Sequence, residues 1–163
     1  MNAIPGIAEG TLPPGVADWM TQAVASYHNT ERAEFLLCTA QALAPECLPV
    51  YFALYKFYFY KRMLPQAEEV ALQALEIAAR QGEFAPDWTQ LDAHSADWRR
   101  VDAPQHFYLF TLKALAFIRL RLGRSEDSHA ILAKLQELDP LDTVGWSVIL
   151  DLDVATSRNV AAN

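Results

Sequence analysis

The chain has 163 residues, 52% of them apolar and 20% charged, which excludes a disordered tail and fits one domain able to bury a core. Twenty acids against thirteen bases give a formal charge of −7, which argues against a nucleic-acid backbone as partner. Six glycines beside abundant Ala and Leu favour helices, because Gly costs up to about 1 kcal/mol per helical position relative to Ala.

The charge is unevenly spread. Residues 1–50 carry −4, residues 125–163 carry −5, and the stretch between them carries +2. No Lys or Arg precedes Arg32, so the start lacks the basic region of a signal or transit peptide. The most apolar stretch, Leu48 to Tyr60, is too short to span a bilayer, so no membrane role is expected. Two cysteines, Cys38 and Cys47, are too few for a disulfide scaffold and read as buried free thiols. A bacterial cytoplasmic location follows as the expectation.

Residues 1–15, with three prolines and three glycines, read as an irregular lead-in. Helical periodicity begins at Val16 and continues to about residue 157 as a single helical-repeat domain. The first helix runs from Asp18 to Tyr27. Thr30 is placed as the N-cap of a second helix that ends near Leu43, before Pro45 and Pro49. A third runs from Val50 to about Met63 and a fourth from Pro65 to Arg80, with Pro65 suited to a first turn and Gly82 to the stop.

Residues 83–104 break the pattern with two prolines, two tryptophans and five acids. They read as an inserted loop with one short helix around Trp88 to Leu91. A fifth helix follows from Gln105 to Leu122, and Gly123-Arg124 turns the chain. Ser125 is placed as the cap of a sixth helix to Leu138, stopped by Asp139-Pro140, and a seventh runs from about Thr143 to Ala155. Residues 158–163 read as a frayed tail. Alternating patterns are absent, so the fold class is all-α.

The helix pairs repeat. In Leu109–Pro140, Leu112, Leu115 and Ala116 mark a first helix and Gly123 a turn. Ser128, Leu132 and Leu135 mark a second helix, and Pro140 ends it. The small Ser128 lets two helices cross closely. This segment resembles a tetratricopeptide repeat, whose period is roughly 34 residues. Tyr51–Gly82 is a second copy, with Leu54, Phe57 and Tyr58 followed by Val70, Ala74 and Ile77. A copy from about Pro14 to Pro45 is the third, so the resemblance covers about residues 14–140. It implies a right-handed α-solenoid of about three helix pairs. Trp146, Val148, Ile149 and Leu152 on the last helix would cap the open end.

Catalytic signatures are missing. There is no Gly-rich phosphate loop, no metalloprotease HExxH, no CxxC and no nucleophile elbow. The four histidines, His28, His94, His106 and His129, have no second His at helical ligand spacing. His94 between Asp92 and Asp97 is the one place a metal would fit, against the plainer reading of a solvated polar loop. No enzyme activity, cofactor or metal is expected.

The tetratricopeptide resemblance implies that first helices of successive pairs line a concave groove that takes peptides. Carried onto this chain, it puts Phe52, Tyr55, Phe59 and Arg62 on the groove side, with Lys56 nearby. Phe110, Lys113, Phe117 and Arg121 come from the next unit. Phe57 and Tyr58 are expected in the core. Trp88 and Trp98 in the loop either fold over the groove, form a second contact surface, or pin the loop to its own domain. The family's carboxylate clamp needs asparagines beside lysines, and none of the four Asn lies on these helices.

The expected function is a non-catalytic adaptor or chaperone that holds one protein client, an acidic segment with apolar anchors. Size and plan are similar to class II chaperones of type III secretion. The runs HFYLFTLKA (106–114) and RLRLG (119–123) resemble small repeat proteins of bacterial nitrogen-fixation regions, which implies a nitrogenase component or maturation factor as client. A small-molecule or metal-binding enzyme using the 83–104 loop is the alternative of another class.

Overall fold

The computed structural model describes residues 12–162, and within them the ordered elements are helices, with no strand. These are α1 (Pro14–Ala25), α2 (Thr30–Leu43), α3 (Leu48–Tyr60), α4 (Leu64–Gly82), α5 (Pro104–Arg121), α6 (Ser125–Leu138) and α7 (Trp146–Ala161). A single 3₁₀ turn, Trp88–Gln90, interrupts the connection from α4 to α5. Most of the expected lead-in, residues 1–11, lies outside the described residues.

Proline sets where four helices start. Pro14, Pro49, Pro65 and Pro104 occupy the first or second helical position, where no N–H partner is needed and the fixed φ suits the helix. Two caps differ from the sequence expectation. Asn29, not Thr30, caps α2, its side chain accepting from the Arg32 N–H at 3.1 Å. Ser125 is already helical and Arg124 precedes it without a side-chain cap. The acids Glu126 and Asp127 in the first turn of α6 supply the favourable charge instead.

The α4 stop is also shifted by one residue. Glu83 takes the left-handed conformation at φ 60°, and Gly82 remains the last helical residue. Gly82 is needed for space, because a Cβ there would collide with the ring of Phe84. At the α5–α6 turn Gly123 has φ +79°, a conformation that costs glycine little.

Each helix packs against the next in sequence, and two further contacts join alternate helices, α3 with α5 and α5 with α7. The closest packing surrounds α4. Ala67, Ala71, Ala74 and Ala78 follow a 4-3-4 spacing and are wholly buried, so the backbones of α3 and α5 approach the same stripe. Against it lie Leu54, Leu112 and Leu115, and Ile131 and Leu135 extend the core into α6. Ser128 is buried between α5 and α6 at the expected small-residue position.

Polar contacts lock the same helices. Glu68 on α4 accepts from Arg119 on α5 at 2.9 Å and from Arg124 in the following turn. Burial pushes the Glu68 carboxyl up, but the two guanidiniums outweigh it and hold it below its ordinary range.

The loop between α4 and α5 folds onto its own helices. Trp98 is 7% exposed, and its indole N–H donates to the Asp92 carbonyl at 2.9 Å. Phe84 packs against Trp98 at 5.1 Å and against Tyr108 at 5.0 Å, while the Tyr108 hydroxyl donates to the Pro86 carbonyl at 2.7 Å. Lys134 on α6 holds the Leu91 carbonyl at 2.6 Å.

The last helix begins later and runs further than its periodicity suggests, from Trp146 to Ala161, so it takes in most of the expected frayed tail. Its start is set by the preceding turn. Buried Asp139 accepts from the Thr143 and Val144 N–H groups, and Trp146 donates to the Asp139 carbonyl at 2.8 Å.

Candidate functional site

Helix α3 reads LPVYFALYKFYFY, with aromatic side chains on nearly every face. Packing sorts them. Tyr51, Leu54, Phe57 and Tyr58 are buried against α2 and α4, which matches the core placement of Phe57 and Tyr58. Phe52 and Phe59 are half-buried, and Lys56 and Tyr60 are exposed. Across from them α5 presents Phe110, Lys113 and Phe117 at helical spacing. Phe52 meets Phe110 at 5.6 Å and Phe59 meets Phe117 at 4.9 Å between ring centroids.

These two aromatic bridges form the floor of an open cleft of about 280 Å³. Its walls are completed by Tyr60 and by Ile149 of α7. The volume is at the small end for ligand pockets, suited to one or two side chains of a docked segment. Tyr55 lines it from below, its ring 4% exposed and its hydroxyl paired with Thr111 Oγ1 at 3.3 Å. Burial pushes the Tyr55 phenol far above its ordinary range, so it stays protonated and acts as apolar floor.

Two ammonium groups border this apolar surface. Lys56 Nζ lies 5.5 Å from the Phe52 ring centroid and 5.9 Å from that of Tyr60. Lys113 Nζ sits 4.3 Å from the Phe110 centroid and donates to the Val144 carbonyl at 2.7 Å. Burial pushes the Lys113 ammonium below the usual lysine range, with Asp142 pulling the other way. Among the described residues neither lysine has a carboxylate in ion-pair contact, whereas Arg80, Arg119, Arg124 and Lys134 on other faces all do.

The structure thus brings together Phe52, Tyr55, Lys56, Phe59, Phe110, Lys113 and Phe117. It leaves out four residues expected to bind. Arg62 sits in the α3–α4 turn at φ 60°, exposed and off the cleft, because α3 ends at Tyr60 rather than Met63. Arg121, the last residue of α5, is exposed one turn beyond Phe117 and does not line the cleft. Trp98 is consumed by the loop's own core, and Trp88 packs partly buried against the main core, outside the cleft.

Tyr60, Ala114, Ile118 and Ile149 line the cleft without having been expected there. Tyr60 and Ala114 were readable, since they continue the 52–56–60 and 110–114–117 spacings. Ile149 was not, because only the fold returns α7 to α5.

The loop histidine gains no ligand set. The Asp92 carboxylate accepts from the His94 N–H at 2.7 Å and from Ser95, and no group of three His, Cys, Asp or Glu converges among the described residues. Cys38 and Cys47 are free and half-buried. No helix among the described residues is long and apolar enough to cross a membrane.

Comparison with curated proteins finds a relative in Azotobacter chroococcum mcd 1, an "uncharacterized 19.8 kDa protein in nifW 5′ region". It is 37% identical over 122 residues, which span 74% of this chain and 68% of that protein. No protein-family model matches the chain.

Proposed function

The chain belongs to the same family as the Azotobacter nifW-region protein, and from that premise we propose that it is a non-catalytic adaptor or chaperone for a protein client in nitrogen fixation. The client is a nitrogenase component or a factor that matures one, met in the cytoplasm. One observation carries the reading: the aromatic cleft between α3 and α5, edged by Lys56 and Lys113, which have no carboxylate in ion-pair contact among the described residues.

Apolar rings supply most of the affinity in such a cleft, since aromatic anchors dominate interface energetics. The ammonium groups of Lys56 and Lys113, neither in ion-pair contact among the described residues, select an acidic segment and disfavour a basic one. The helices stack as tetratricopeptide-like pairs in this reading. Two features support it: consecutive helices pack in order, and the alternate helices α3, α5 and α7 all contribute to one cleft.

The test is affinity purification of the tagged chain from a nitrogen-fixing host under fixing conditions, followed by mass spectrometry. The wild type is expected to retain one nitrogenase-related protein in stoichiometric amount, and Phe59→Ala to lose it while melting as a folded protein. A wild type without such a partner, or a variant that keeps it, removes the reading.

A further inference from the structure

Helix α7 supplies one wall of the cleft, yet it is the least embedded helix of the chain. Of its 16 residues only Ile149 and Asp153 are buried, and residues 154–162 are all exposed. Ile149 is the residue that reaches the cleft. Asp153 lies one turn further on, on the same helical face.

Its burial is unusual for a carboxylate. Asp153 is 4% exposed, and its single hydrogen-bond or ion-pair partner among the described residues is His129 Nε2 of α6. Other charges on the helices packed against α7 are engaged elsewhere or face solvent. Arg119 is held by Glu68, Lys113 by the Val144 carbonyl, and Lys134 by the Leu91 carbonyl and Glu137. Glu126, Asp127 and Arg121 are exposed, as are Asp151 and Arg158 on α7 itself. The first turn of α7 is held by Trp146 on the Asp139 carbonyl and by Ser147 on the Asp142 carboxylate. Beyond that turn, docking depends on His129 keeping a buried charge satisfied, because an unpaired buried carboxylate is strongly unfavourable.

We propose that His129 and Asp153 form a latch that docks α7 as a removable wall of the cleft, so that this one contact sets how well the cleft retains its ligand. The first half is a statement about α7 alone. The second rests on the cleft-binding reading given above. His129 is half-exposed, so the latch is reachable from solvent while its carboxylate is not. Opening it loosens the α7 wall that Ile149 contributes to the cleft.

The latch predicts a pattern that a purely local packing role does not. His129→Ala removes the partner and strands the charge, so α7 should detach. Asp153→Leu in the same chain removes the stranded charge, so the double variant should dock again. Hydrogen exchange read by mass spectrometry over residues 146–161 measures this without any ligand. His129→Ala should speed exchange there by about 10-fold or more, with α3 to α5 unchanged, and His129→Ala/Asp153→Leu should return it toward the wild type.

Cleft occupancy is read separately with 4-phenylbutyrate, a ring with a carboxylate, titrated against isotope-labelled protein by NMR. Shifts at Ala114 and Ile149 are expected in the wild type and the double variant, and weakened severalfold in His129→Ala. Three results overturn the latch: unchanged α7 exchange in His129→Ala, no recovery in the double variant, or α7 exchanging at the free-peptide rate in the wild type. With the exchange pattern intact, equal phenylbutyrate shifts in His129→Ala and the wild type overturn the link to the cleft alone, whereas no shifts in any variant overturn the cleft-binding reading and the link with it.

Discussion

The chain builds two aromatic clusters, and they end differently. Phe84, Trp98 and Tyr108 close on one another beside the loop, and the Trp98 and Tyr108 polar groups find carbonyl partners. Phe52, Phe59, Phe110 and Phe117 also pair ring to ring, but they stay half-exposed and are bordered by Lys56 and Lys113. The same contrast holds for charge on one helix. Arg119 of α5 is neutralised by Glu68 on the α4 side, whereas Lys113 on the cleft side meets a ring and a carbonyl. A closed cluster stabilises the fold. An open one, kept apolar and edged by ammonium groups, is where a partner can add contacts that the chain itself does not supply.

The contrast is broken most severely at Trp98. Replacing it by Ala empties the loop core and should cost about 3–5 kcal/mol, the usual range for a buried large aromatic, visible as a lowered denaturation midpoint. Client capture per folded molecule should not change, because Trp98 does not touch the cleft. Equal loss of capture and stability would place the two clusters in one functional unit.

Glu68 comes next. Glu68→Ala leaves Arg119 unpaired between α4 and α5, frees the more exposed Arg124 in the following turn, and should cost about 2–3 kcal/mol, typical of charge-assisted bonds. Acid should act in the same direction. The folded-state carboxyl is held below its ordinary range, so its contribution is complete above the unfolded value, about 4.3, and is lost as pH falls through the lower folded value. Urea midpoints from pH 6 to pH 3 for the wild type and Glu68→Gln test this, and the gap between the two should shrink toward pH 3.

Phe59→Ala reverses the balance seen at Trp98. Phe59 is half-buried, so its loss should cost about 1.5–2.5 kcal/mol, about half the value of a fully buried Phe. Capture of the client should nevertheless fall by tenfold or more, since a central aromatic anchor carries roughly 1.4 kcal/mol or more of binding. A variant with the opposite profile, unstable but binding, would mean that the α3–α5 bridges are core after all.

How much of this was legible in the sequence depends on the length scale of the signal. The helices were readable because periodicity and proline are local, and their ends missed by a few residues where a neighbouring side chain took the cap, as Asn29 did before Thr30. Seven of the cleft residues came from the faces that the tetratricopeptide resemblance assigns to the groove, with i, i+3 and i+4 spacing grouping them on each helix. Tyr55 shows the limit, since its spacing gives direction but not depth, and Thr111 on another helix decides that it is buried. For Trp98 the sequence offered pinning to its own domain as one of three readings, and the structure takes that one; Ile149 in the cleft was illegible, because α7 folds back over a distance that no local pattern records.

The smallest expected effect is at Arg121. Its spacing from Phe117 puts it on the cleft-facing side of α5, and its charge matches an acidic client. The helix ends at that residue, however, and the side chain is exposed and does not line the cleft. Exposed charges without partners contribute little to stability, within about 0.5 kcal/mol. Arg121→Glu should therefore leave the melting temperature and steady-state client capture unchanged, and slow association only slightly at low salt through the weakened positive field. Lys56→Glu, one turn from Phe59 and in the cleft wall, is the matched control and should cut capture at equal stability. If the two variants behave alike, charge acts here through the general field of the basic central region; if they differ, it acts through contact in the cleft.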